Sequence, residues 1–351
     1  MNFIFLENKK YLKTLGVFKQ INNFDGNRKY KISDAEIKQY DLIVSQLYTN
    51  SVSNFLILKA KLNNVKTLLL SDGIFEWENC FANPMNRKYN LNLFHPILHD
   101  IFLCVGKEET KYFNFIGYKT MQYLPDRMAP TQKRIGKVNK KVFLITTANT
   151  AYYNDSEKEY LIKLLKEVIK TLEDLKIEYI FRIFDDSLME ELSIKEDEKN
   201  IISGSFEECL KLVDYVITTP SSISFTTMYH GKALAHLIYR DSPMFIQAGW
   251  NISSSIDIRK TLEDMMSFNQ DRMNFQEFQV NNYLVDNEKI EKEVLEELKK
   301  YKSQNIEKFI NQNLYNMLNS SFNLNIEYLV RKIYLKFKGS PIMQFLRGKI
   351  K

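Results

Sequence analysis

Asp214-Tyr-Val-Ile-Thr-Thr-Pro-Ser-Ser-Ile-Ser-Phe-Thr-Thr-Met-Tyr-His-Gly-Lys232 decides how this chain is read. Val216 to Thr218 are β-branched and follow a charged edge, the pattern of a short buried strand. Thr219-Pro220-Ser221-Ser222 breaks that strand and opens a helix, since Pro suits a first turn and Ser is a good N-cap. Ile223 and Met228 continue at helical spacing until Gly231 supplies a left-handed stop. Hydroxyls between a strand end and a helix start admit two roles. They cap the helix, or they join its free N–H groups in holding an anion such as a phosphate.

Outward from this stretch, the chain alternates. Before it come strands at Asn2–Leu6, Asp41–Val44, Val65–Leu70, Ile101–Val105, Met121–Leu124, Val142–Thr146 and Glu178–Ile183. Between them lie helical patterns at Lys9–Phe18, Ser53–Leu62, Glu108–Phe115, Glu157–Leu175 and Ser205–Val213, and after it comes a strand at Ala235–Tyr239. The strands are continuous apolar runs, so the sheets are parallel and covered on both faces. Pro125 to Lys141, with two prolines, Gly136 and six Lys or Arg, has no hydrophobic period and reads as a linker. The expected architecture is α/β with two doubly wound domains facing a cleft, 1–128 and 142–270, joined by 129–141. Residues 271–351 follow as C-terminal helices, Asn287–Tyr301 and Asn305–Leu318 being the clearest, and a basic tail.

A length of 351 residues suits two domains, and 44% hydrophobic with 26% charged residues is an ordinary globular composition. Cys80, Cys104 and Cys209 are scattered without metal-type spacing, which points to structural thiols in a reducing cytoplasm. Ligands of doubly wound domains bind beyond the carboxyl ends of the strands. The loops there are Ser71-Asp72-Gly73, Thr146 to Thr150, Phe184 to Ser187 and Thr219 to Ser224, all rich in hydroxyls or carboxylates. Thr147 and Asn149 are candidates to line a donor pocket with Ser221, Ser222 and Ser224.

Two such halves, with Asp72-Gly73 after a strand of the first and Ser221-Ser222 at a helix start of the second, resemble the GT-B class of bacterial glycosyltransferases. Within it, the layout of residues 1 to 260 is similar to sialyltransferase-like enzymes of capsule and lipooligosaccharide synthesis. The resemblance implies that Asp72 is the general base and that Ser221-Ser222 holds the donor phosphate. It also implies a His-Pro pair after the second strand of the second domain. There the chain departs, reading Phe181-Arg-Ile-Phe-Asp-Asp186, and its one His-Pro, His95-Pro96, lies in the first domain. Arg182 is the candidate to replace it, since a guanidinium fork suits phosphate or carboxylate. The donor implied is a nucleotide sugar, first a CMP-linked nine-carbon acidic sugar, with a UDP-sugar, CMP-Kdo or CDP-glycerol as alternatives. The acceptor is a surface glycan or glycolipid. A non-catalytic nucleotide-sugar-binding subunit is the reading from another class.

The chemistry follows from residue types. Glycosyl transfer to a hydroxyl needs a base for the acceptor proton and donors for the charge developing on the leaving phosphate. Asp72 meets the first need, with Glu76 and Glu78 as alternative bases, and the serines the second; no metal or cofactor is required. Asp72-Gly73 also suits an ordinary turn, and the paired carboxylates Asp185-Asp186, which could hold a divalent metal, read first as a solvated loop.

The tail carries a separate signal. Arg331 to Lys351 contains seven Lys or Arg and no acid; without these seven the net charge of +6 becomes −1. With Ile333, Tyr334, Leu335, Phe337, Phe345 and Leu346 interleaved, it suits an anionic membrane surface rather than nucleic acid, for which the body has no motif. A cytoplasmic protein attached peripherally to the inner membrane is the resulting expectation.

Overall fold

The computed structural model describes residues 2–46, 51–78, 82–83, 97–194, 199–240, 245–300 and 324–337. The first half is a five-stranded sheet of β1 (Phe3–Phe5), β2 (Leu42–Ser45), β3 (Lys66–Leu70), β4 (Ile101–Val105) and β5 (Thr120–Tyr123), side by side in that order. Every pairing is parallel. The second half holds β6 (Val142–Thr146), β7 (Glu178–Arg182), β8 (Tyr215–Thr218), β9 (Ala233–Leu237) and β10 (Trp250–Ile252), in the order β10-β9-β8-β6-β7. It too is wholly parallel. Isolated parallel bridges extend both sheets, Asn23 onto Ile4 beside β1 and Asn200 onto Phe181 beside β7. With Asn200 counted, the second sheet has the order 3-2-1-4-5-6 of a Rossmann half; with Asn23, the first has the flavodoxin-like 2-1-3-4-5-6. Both orders reverse beside their first strand. The expected α/β class with two doubly wound halves is what the structure has.

Local chemistry sets the element ends. The first helix, Lys9–Leu15, starts on an Asn8 cap and stops three residues before the expected Phe18, because Gly16 takes a left-handed φ of 72°. Asn154 caps the long helix Asp155–Asp174, whose Leu161, Leu164, Leu165, Val168 and Leu172 form one buried stripe. The structure adds β10 and a helix at Asp186–Glu191, neither expected from the sequence. The expected helix Asn305–Leu318, His95-Pro96, Cys80 and residues 338–351 lie outside the described residues. Cys104 and Cys209 are free and buried.

The halves are joined by more than the linker. One buried cluster runs through both, from Phe5, Leu70 and Val105 to Val216, Phe225, Leu234 and Val294. The linker is pinned to the second half. Thr131 N donates to Glu207 Oε1 (3.0 Å), and Ile135 N to His230 Nδ1 (3.2 Å). Val138 N and Lys140 N each lie 2.7 Å from an oxygen of buried Asp214. Lys232 Nζ donates to Gly136 O at 2.7 Å. The C-terminal helices then divide: Gln270–Asn281 packs on Ile223–Tyr229 of the second half, whereas Asn287–Lys300 returns to β5 of the first. Asn287 clamps that return, with its Oδ1 accepting from Leu124 N (3.0 Å) and its Nδ2 donating to Leu124 O (2.6 Å).

Candidate active site

The site lies where the second sheet reverses, between the carboxyl ends of β6 and β8. Thr219 Oγ1 accepts from Ala148 N at 2.7 Å, tying the two loops together. Thr219-Pro220-Ser221-Ser222 then leads into the helix Ile223–Tyr229, and neither serine caps it through its side chain. Ser222 has right-handed helical angles (φ −60°, ψ −23°) and makes no side-chain cap. The first turn closes through main-chain carbonyls, Ser224 N donating to Ser221 O at 3.0 Å. Ser221 Oγ is buried and, among the described residues, has no hydrogen-bond partner. A buried hydroxyl left unpaired costs on the order of 1–3 kcal/mol, so its lack of use by the protein needs an explanation.

The loop after β3 supplies the facing wall. Ile74 N donates to Ser222 Oγ at 3.4 Å, and a Cβ placed on Gly73 would stand 2.8 Å from the same oxygen. A side chain at this position would force the Ser222 hydroxyl aside. Next to it, Asp72 Oδ2 accepts from Tyr11 Oη (2.8 Å) and Arg127 Nη1 (3.2 Å), with the carboxylate 40% exposed. Burial, and then the Asp72 charge, push the Tyr11 phenol far up, so it stays a donor. Three residues on from Asp72, Phe75 N donates to Oε1 of fully buried Glu109 (2.8 Å), whose carboxyl burial holds well above the usual range. Glu76 reaches across to the second half, where Arg240 pairs with it and, at 3.1 Å, with Glu157. Burial raises the Glu76 carboxyl even against Arg240.

Together these walls enclose a cavity of about 360 Å³ lined by Ile74, Phe75 and Glu76 from the first half and by Ala148, Thr150, Tyr153, Pro220, Ser221 and Ser222 from the second. Ser221 and Ser222 are thus brought to it, and Asp72 stands one residue behind the Gly73–Ser222 contact. Other candidates are placed differently. Thr147 is buried and Asn149 exposed, while their neighbours Ala148 and Thr150 face the cavity. Ser224 is fully buried with its Oγ 2.8 Å from His236 Nε2, behind the cavity wall. Arg182 spends its guanidinium on main-chain carbonyls, Nη1 on Ile201 (2.7 Å) and Ser203 (3.1 Å), Nη2 on Gly204 (2.9 Å). Its fork staples the 200–204 segment to the edge of the sheet instead of facing the cavity. Asp185 caps Asp186–Glu191 through Leu188 N.

Arg240, Tyr11 and Arg127 had not been singled out. Arg240 lies three residues beyond the end of β9, so the rule that ligands gather beyond strand ends identifies it once applied to that loop too.

No family model matches the chain, and no curated protein matches it. Solved structures do. S. aureus MnaA with UDP superposes with a TM-score of 0.54 at 13% identity, covering 87% of this chain and 99% of that one. Anabaena Alr3699/HepE in complex with UDP gives 0.52 at 11%, covering 86% and 100%. Methanocaldococcus jannaschii UDP-GlcNAc 2-epimerase with UDP-GlcNAc and UDP gives 0.50 at 12%, again covering 86% and 100%. At these identities the likeness establishes the fold: two Rossmann-like halves of GT-B type.

Proposed function

We propose that this protein is a glycosyltransferase that moves a sugar from a nucleotide donor to an acceptor hydroxyl in the cleft between its halves. The observation that carries this reading is the pairing of two opposed walls. A buried, unpartnered Ser221 hydroxyl lies on one, and the Asp72-Gly73 loop touches Ser222 from the other. Ser221 and Ser222, with nearby main-chain N–H groups, bind the donor phosphates and stabilise the charge on the departing phosphate oxygen. Asp72 takes the acceptor proton, its Oδ2 oriented by Tyr11 and Arg127. The proton passes to the carboxylate, the acceptor oxygen bonds to the anomeric carbon, and the nucleotide leaves with the electron pair of the broken bond.

For the donor, a UDP-sugar comes first, because the three similar folds above were each solved with UDP. The CMP-linked acidic sugar suggested by sequence resemblance is kept as the second donor. A second reaction, epimerisation of the bound nucleotide sugar, is favoured by the UDP-GlcNAc 2-epimerase among the similar structures. One experiment separates these. The protein is incubated with UDP-, CMP-, GDP- and CDP-activated donors, with and without a mixed oligosaccharide acceptor, and both free nucleotide and donor isomers are quantified. Transfer releases nucleotide together with a glycosylated product, only when acceptor is present. An isomerised donor without acceptor establishes the epimerase. Tight nucleotide binding with no turnover in any arm establishes a binding subunit.

A further inference from the structure

The helix Leu324–Phe337 packs against Ser51–Leu62 of the first half yet leaves an apolar stripe in water. Ile326, Leu329, Val330, Ile333 and Phe337 are each between 48% and 58% exposed. Their spacing confines them to an arc of about 100° on the helix. Lys332 and Lys336 are exposed and project along one border of that arc, and four further Lys or Arg, with no acid, follow between 338 and 351. A contiguous apolar stripe with positive charge along one border marks a partner surface rather than a solvated face.

We infer that this helix lies in the surface of an anionic lipid bilayer, with the stripe among the acyl chains and the lysines at the headgroups. Charge decides between occupants. Pairing the stripe with a second copy would bring the two sets of basic residues together, an unfavourable arrangement at any ordinary ionic strength. An anionic lipid surface provides both the apolar medium and the counter-charge. Among the described residues no helix is long and apolar enough to cross a membrane, and the apolar residues of this one occupy a single face, so the helix lies along the bilayer. This surface stands apart from the cleft, so the inference does not depend on the proposed reaction.

The test uses the full chain and sedimentation with vesicles of phosphatidylcholine alone or mixed with phosphatidylglycerol, at low and moderate salt. Binding is expected to the mixed vesicles only and to weaken with salt. Lys332→Gln/Lys336→Gln should weaken it about 25-fold, roughly fivefold per charge. Val330→Ser/Ile333→Ser should weaken it at both salt concentrations, with thermal melting unchanged because the positions are exposed. A gain of signal guards against misfolding: the indole of Ile333→Trp should shift its emission to the blue with mixed vesicles and be quenched by brominated lipid. Equal binding to both vesicle types, or an indole that brominated lipid does not quench, overturns the inference. So does a concentration-dependent dimer that the serine variant abolishes, which assigns the stripe to a second copy.

Discussion

The two rims of the cleft are built on opposite plans. On the second half, the turn after β8 leaves Ser221 Oγ without any partner, and its helix closes by main-chain bonds alone. On the first half, the loop after β3 is held at nearly every residue: Asp72 by Tyr11 and Arg127, Phe75 by Glu109, Glu76 by Arg240. One rim keeps hydrogen-bonding capacity in reserve and the other spends it on position. That division fits their proposed tasks. A phosphate brings many acceptor atoms and needs open donors, whereas a base must keep one oxygen aimed at a single proton.

The largest expected effect breaks or upholds that division at the acidic rim. Asp72→Asn preserves size and removes the proton acceptor, so turnover should fall by roughly 10²–10⁴-fold with little change in donor affinity. Glu76→Gln keeps a hydrogen bond to Arg240 and should cost far less turnover. If steady-state kinetics show the reverse order, Glu76 is the base and Asp72 a structural anchor.

A smaller effect sharpens the other rim. Each hydrogen bond from a serine to a charged phosphate oxygen is worth roughly 1.5–3 kcal/mol, so Ser221→Ala should weaken nucleotide binding by about 10–150-fold. The same variant should melt no lower than the parent, since the lost hydroxyl had no partner. A helix cap replaced by Ala would instead cost about 0.5–2 kcal/mol. Calorimetric titration and a melting curve on one variant therefore test the open-donor account twice.

The smallest effect concerns what lies behind each rim. His99 in the first half and His236 in the second are buried, and burial pulls both down to about 3, with Lys61 assisting at His99. Each pairs through Nε2 with a serine, Ser45 and Ser224, while Nδ1 has no partner. The folded state therefore takes up its proton far below the unfolded value of 6.5. Stability is full above that value and falls as pH drops towards 3, because the unfolded chain protonates first. At pH 5 the loss should be about 2 kcal/mol per histidine. His236→Gln should remove about half of this dependence between pH 7 and 5; an unchanged slope would show that other groups cause it.

Much of this was legible from sequence. Apolar runs such as Ile101–Val105 announced strands buried on both faces, and hydroxyls after Thr218 announced a loop worth inspecting. β10 escaped because three residues with exposed Asn251 in the middle make no apolar run. The expected Ser cap did not form, since a cap needs extended backbone and Ser222 has already entered the helix. Arg182 could not be judged from its own neighbourhood. Its partners lie 19 to 22 residues later, on a segment that folds back beside β7. Arg240 and Glu76 are 164 positions apart, a separation no local pattern reveals.

The pinned linker limits how the halves can move. Because 131–140 is fastened to the second half by Glu207, His230, Asp214 and Lys232, and Asp126 and Arg127 to the first through Leu15 and Thr14, any pivot on that strand is confined to the few residues between Arg127 and Thr131. The chain crosses back near Asn282–Asn287, where Gln122 and Leu124 grip it. Two adjacent crossings, placed like the leaves of a door hinge, would confine any opening of the cleft to a swing about one line and oppose twist and slide. The Glu76–Arg240 bond is then the catch on that door, the charged contact that must part for the cleft to swing wide.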